Sequence, residues 1–202
     1  YTMKTGHMEY EQSAGAVFMP NLAKASVMQC LVTGNRANGT GRCSAIWMHG
    51  ANNWVESCIV AGNETFGTQR AAVFCNYGGT VTNYIISGNS YGVYLYYASA
   101  PNGLWNSTVS GNRSFGVLMV GGTISACAIT HNLGGGIYAD HYNATIQNCL
   151  IASNSASKGG GVYEKYRVND ATVNLWNCTV VANTATTTSA DGGGGVYVES
   201  DG

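Results

Sequence analysis

The chain has 202 residues, 45% of them hydrophobic, which is enough for one domain with a real core and excludes a disordered segment. Only 9% are charged, the formal net charge is −1, and Lys and Arg are scattered singly, so the basic stripe that holds nucleic acid is missing and no nucleic-acid partner is expected. No run approaches the ~20 apolar residues that span a bilayer, so membrane insertion is not expected either.

Residues 1–13 read as a segment leading into the first repeat, and residues 1–10 lack the basic-then-apolar form of a signal peptide. Residues 14–202 form the repeat domain, built from two interleaved motifs. One is an apolar residue, a Cys-like residue three later, an apolar residue two later and an Asn three later. It occurs as Val27/Cys30/Val32/Asn35, Val55/Cys58/Val60/Asn63, Val81/Tyr84/Ile86/Asn89, Leu104/Ser107/Val109/Asn112, Ile124/Cys127/Ile129/Asn132, Ile146/Cys149/Ile151/Asn154 and Leu175/Cys178/Val180/Asn183. The other is a small, a β-branched and an aromatic residue, centred on Val17, Ile46, Val73, Val93, Val117, Ile137, Val162 and Val196.

These segments are β-branched and bounded by Gly and Asn, so they are strands. Side chains alternate faces along a strand, so the Cys column and the apolar column two residues on both point inward. The apolar column three before Cys has the wrong parity for that strand, and a corner must lie between. Three short strands per coil, about eight coils and coil lengths of about 20 to 34 residues describe an all-β, single-stranded parallel β-helix solenoid.

The Asn column Asn35, Asn63, Asn89, Asn112, Asn132, Asn154 and Asn183 reads as a structural ladder, because an amide carries both donor and acceptor and can bond its copy on the next coil. Asn also tolerates a left-handed corner. The chain has seven cysteines, an odd number, so at least one is outside any intramolecular disulfide. Those in the Cys column could be bridged between coils or stacked as small buried thiols filling the core.

Three phrases carry a family resemblance: Gly134-Gly135-Gly136-Ile137-Tyr138, Gly159-Gly160-Gly161-Val162-Tyr163 and Asn177-Cys178-Thr179-Val180-Val181-Ala182-Asn183-Thr184-Ala185. They resemble the parallel β-helix repeats of bacterial secreted and surface proteins, including the glycine-rich repeats of adhesins and autotransporter passengers. The resemblance covers nearly the whole chain after Ala14. It implies a right-handed, pectate-lyase-like coil and a secreted or cell-surface location on a bacterium. It does not imply an activity, because one fold hosts many functions.

The residue after each inward β-branched position reads Phe18, Trp47, Phe74, Tyr94, Leu118, Tyr138, Tyr163 and Tyr197 down the stack. This outward column is either a ring ladder that steadies neighbouring coils or a platform for sugar rings. The seven aromatic members are the candidate ligand- or partner-binding residues. Two residues farther along, Asp140, Lys165 and Glu199 alternate in charge, with His141 and Glu164 beside them. Asp140, His141 and Lys165 are the candidates for an enzymatic alternative, a polysaccharide lyase or glycoside hydrolase, whereas a solvated charge ladder is the plainer reading. No metal site and no cofactor are expected.

The sequence shows no capping segment over the strand edges at either end, which suggests a piece of a longer coil or self-association end to end into a fibre. The functional expectation is therefore a non-enzymatic extracellular structural or adhesive module, with self-association, other surface proteins or polysaccharide as partners.

Overall fold

The computed structural model describes residues 15–21, 24–37, 43–66, 71–97, 103–140, 142–165, 172–187 and 192–199. Each circuit of the chain lays down three short strands, and every pairing is parallel and runs to the next circuit. The first sheet has eight strands, from Val17–Met19 to Val196–Val198. The second runs over seven strands from Ser26–Met28 to Val173–Trp176, and the third over seven from Leu31–Thr33 to Thr179–Val181. That makes seven complete turns plus one further strand, where the repeat count suggested eight coils. Register follows the motifs: Val17 pairs with Ile46, Ile46 with Val73, and Val81 with Leu104.

Two corners are left-handed in every turn. The residue just before each Cys-column position has positive φ in all seven turns: Gln29, Ser57, Asn83, Asn106, Ala126, Asn148 and Asn177. This is the corner that the parity argument required between the second and third sheets. The next corner follows the third sheet and uses the residue just before each ladder Asn, which is Gly34, Gly62, Gly88, Gly111, His131, Ser153 or Ala182. The ladder asparagines are therefore not the left-handed residues, contrary to one of the two reasons offered for their presence. Their place is explained by hydrogen bonding alone.

That bonding is complete. Asn63 Nδ2 donates to Asn89 Oδ1 at 3.0 Å and to the Val32 carbonyl at 3.0 Å, while Asn63 Oδ1 accepts from the backbone N–H and from Nδ2 of Asn35, each at 3.0 Å. The same amide-to-amide bond recurs from Asn35 to Asn183 at 2.9–3.1 Å, always donated toward the C-terminal neighbour. Five interior rungs, Asn63 to Asn154, are fully enclosed, so each amide meets its four partners out of contact with water.

The Cys column does more than fill space. All seven cysteines are free, and Cys58, Cys127 and Cys149 are buried. Each column thiol points back across the left-handed corner at the carbonyl two residues earlier: Cys30 to Met28, Cys58 to Glu56, Cys127 to Ser125, Cys149 to Gln147 and Cys178 to Trp176, at 3.0–3.3 Å. Ser107 makes the same bond to Trp105 at 2.6 Å. The Glu56, Trp105, Ser125, Gln147 and Trp176 carbonyls already accept a backbone N–H from the preceding coil, so the thiol or hydroxyl occupies the second lone pair and ties the corner to itself. Tyr84 is the exception in the column, with its hydroxyl buried and unpartnered. Cys75, which belongs to neither motif, lies in register with Leu95 in the first sheet and joins the main core.

Candidate functional site

Outward side chains of the first sheet divide the solenoid in two. In the N-terminal half the rings are stacked and enclosed: Trp47 lies 5.7 Å from Phe74, and Phe74 5.0 Å from Tyr94, with nearly parallel planes. Trp47 and Phe74 are wholly inaccessible and Tyr94 is 7% exposed, because they form a second apolar cluster with Cys43, Ala71 and Val120 outside the sheet. Burial pushes the Cys43 thiol up to about 12. Of the seven candidate binding aromatics, these three are therefore closed to a ligand as they stand. Phe18, at 38% exposure, sits at the open edge of that stack, 4.8 Å from Trp47.

Leu118 interrupts the rings, and the column resumes in the C-terminal half with half-buried Tyr138, Tyr163 and Tyr197. Phe115 from the preceding turn lies 4.9 Å from Tyr138, which meets Tyr163 edge-on at 4.9 Å; Tyr163 lies 5.6 Å from Tyr197. Beside these rings opens a groove of about 300 Å³ lined by Phe115, Leu133, Ser157, Lys158, Tyr163 and Thr186. The sequence put Tyr163 here. Lys158, Ser157 and Thr186 lie in turns of unequal length and could not be aligned to a column.

The groove is polarised. Lys158 Nζ stands 5.0 Å over the Tyr197 ring and donates to its hydroxyl at 3.4 Å. The Tyr163 hydroxyl donates to the Glu199 carboxylate; burial, then this neighbouring carboxylate, pushes Tyr163 up to about 12, so it is a neutral donor throughout the physiological range.

A second exposed aromatic group escaped the column reading. Tyr77 and Tyr97 sit just past the ends of adjacent first-sheet strands, stacked at 5.5 Å with planes 16° apart. Tyr142 meets Tyr97 at 5.1 Å, Tyr96 meets it at 4.2 Å, and His49 lies 5.8 Å from Tyr77. The sequence signal was an aromatic residue directly following the strand in two successive coils, in line with no named column.

The parallel coil, its enclosed Asn ladder and the inward apolar columns agree with a family model for the right handed beta helix region, which matches residues 7–124, more than half of the chain. The chain belongs to the right-handed β-helix family. No curated protein and no solved structure matches it.

On this β-helix the candidates for the enzymatic alternative fall as follows. Asp140 and Lys165 are register partners on neighbouring strands, and Lys165 is followed on the next coil by Glu199. His141 lies outside the described residues. Glu64 holds Arg36 at 3.7 Å and Arg113 at 3.5 Å over a span of four coils. Among the described residues, no group of three or more His, Cys, Asp or Glu side chains converges as a metal-ligand set.

Proposed function

We propose that this β-helix is a non-enzymatic extracellular module of a bacterial surface that retains polysaccharide in the groove beside Tyr163. The observation that carries the reading is the meeting of an accessible ring ladder with a groove large enough for a sugar unit and furnished with hydroxyls and one ammonium. Sugar rings offer an apolar face to an aromatic side chain and hydroxyls to its flanks. Lys158 is engaged by a phenol rather than a carboxylate, which favours an acidic sugar unit.

The expected result of titrating acidic and neutral polysaccharides against the protein by calorimetry is preferential binding of an acidic one. Tyr163→Ala and Lys158→Gln should each weaken it by about tenfold, the scale of one lost ring contact or charge-assisted bond. Equal affinity in both variants would remove the groove from the account.

A second reading, end-to-end association, is favoured by the polarity of the Asn ladder. Among the described residues Asn35 presents an Oδ1 that accepts from no neighbour, and Asn183 an Nδ2 whose one bond goes to the Ile151 carbonyl, so the two faces are complementary. The last described turn also exposes Leu175 and Val196, side chains of inward columns. Sedimentation should show concentration-dependent association that Asn183→Asp, which places a carboxylate against the acceptor, abolishes; a monomer at all concentrations would end this reading.

A further inference from the structure

Tyr77 and Tyr97 occupy a corner position that the turns on either side of them give to glycine. The residue after the first-sheet strand is Gly50, Tyr77, Tyr97 and Gly121 in four successive turns, aligned by the bonds Gly50 N–H to Asn76, Tyr77 N–H to Tyr96 and Tyr97 N–H to Val120. All four are left-handed, with φ of 93°, 57°, 49° and 82°. Glycine adopts this conformation freely, whereas a bulky side chain there is strained. Burial does not compensate for that strain, since Tyr77 is 56% and Tyr97 37% exposed. Left-handed corners recur throughout this coil, but at this one two adjacent turns place an exposed aromatic ring side by side with its copy.

A second observation concerns Asn76, the neighbour of Tyr77. It pairs in register with His49 on one side and Tyr96 on the other, is 4% exposed, and its Oδ1 accepts no hydrogen bond among the described residues. A buried acceptor without a donor is costly unless something supplies one. Strand parity puts Asn76 in the outward column, two residues after Phe74 and next to the exposed Tyr77. The three phenols beside it form a relay: Tyr142 donates to Tyr97 and Tyr97 to Tyr96, which holds the Tyr142 and Tyr97 hydroxyls protonated above the usual phenol range.

We propose that Tyr77, Tyr97 and Tyr142 form a second glycan site, a stacking platform for the pyranose rings of a neutral saccharide, with Asn76 Oδ1 accepting from a sugar hydroxyl. The contacts of Tyr77 with Tyr97 and of Tyr97 with Tyr142, which reaches past the coil of Gly121, run along the stack, so the saccharide lies along the solenoid axis. The cluster itself consists of neutral rings and an amide, in contrast to the Lys158 groove, and this sets its ligand class apart. The site stands whether or not the groove binds polysaccharide.

The test titrates cellohexaose, mannohexaose and chitohexaose into the protein, followed by tyrosine fluorescence and calorimetry, with thermal unfolding measured in parallel. At least one hexasaccharide should bind. Tyr77→Gly and Tyr97→Gly should lose about tenfold or more in affinity while the unfolding temperature stays the same or rises, because glycine relieves the left-handed strain. Tyr77→Phe should retain stacking and most of the affinity, and Tyr163→Ala should leave it unchanged. The proposal is overturned if none of the three sugars binds, if the glycine variants bind as well as the parent, or if they melt several degrees lower, which would make the tyrosines packing residues.

Discussion

Replacing Asn112 by alanine should destabilise the β-helix by about 3–5 kcal/mol, the sum expected when several buried polar groups lose their partners together. Asn112 is wholly enclosed. Its Oδ1 accepts from the backbone N–H and Nδ2 of Asn89 at 3.0 and 3.1 Å, and its Nδ2 donates to Asn132 Oδ1 at 2.9 Å and to the Ile86 carbonyl at 3.4 Å. Alanine leaves two donors and the Ile86 carbonyl on the preceding coil, and Asn132 Oδ1 on the following one, facing a gap. At the edge rung the damage is smaller: Asn35 is half-buried and gives only its donors to the ladder, so Asn35→Ala should cost about 1 kcal/mol. Denaturant unfolding of the two variants measures the difference directly. Equal small losses would show that water enters the ladder and that the amides are interchangeable with solvent.

Trp47→Ala should cost about 3–5 kcal/mol, the range for deleting a large buried aromatic, and should leave saccharide binding untouched. The ring is fully enclosed between Phe18 and Phe74, and its indole Nε1 is buried without a hydrogen-bond partner among the described residues. Trp47→Phe removes that unpaired donor while keeping an aromatic ring in the stack, so its cost should fall below about 1.5 kcal/mol. Thermal unfolding and calorimetric titration of the two variants separate packing from binding. A Trp47→Ala protein that keeps its stability and loses saccharide would return this part of the column to the surface.

The outward column shows why the site was only half legible. Phe74 and Tyr163 occupy the same position of the same motif and share the same strand parity, yet one is sealed and the other borders a groove. Strand period decides which side of the sheet a residue takes. Whether that side meets solvent depends on what the turns place above it, and coil length varies from about 20 to 34 residues with no period to read. Lys158 and Tyr142 are turn residues of this kind. Tyr77 and Tyr97 gave no sign of strain in the sequence because φ is a property of the closed corner, not of the residue.

By itself the sequence determined that the chain coils, with parallel in-register strands, a corner before each Cys-column residue, inward Val, Ile and Leu columns and an Asn at every turn. These follow from side-chain period and from repetition, which are local and survive in one dimension. Tertiary structure alone decided the direction of the Asn ladder, the bonds from column thiols back to the corner carbonyls, and the division of the aromatic column into a buried stack and an open groove. Each of these depends on which atoms of different coils are brought within hydrogen-bonding or van der Waals reach, and that distance exists only once the coil has closed.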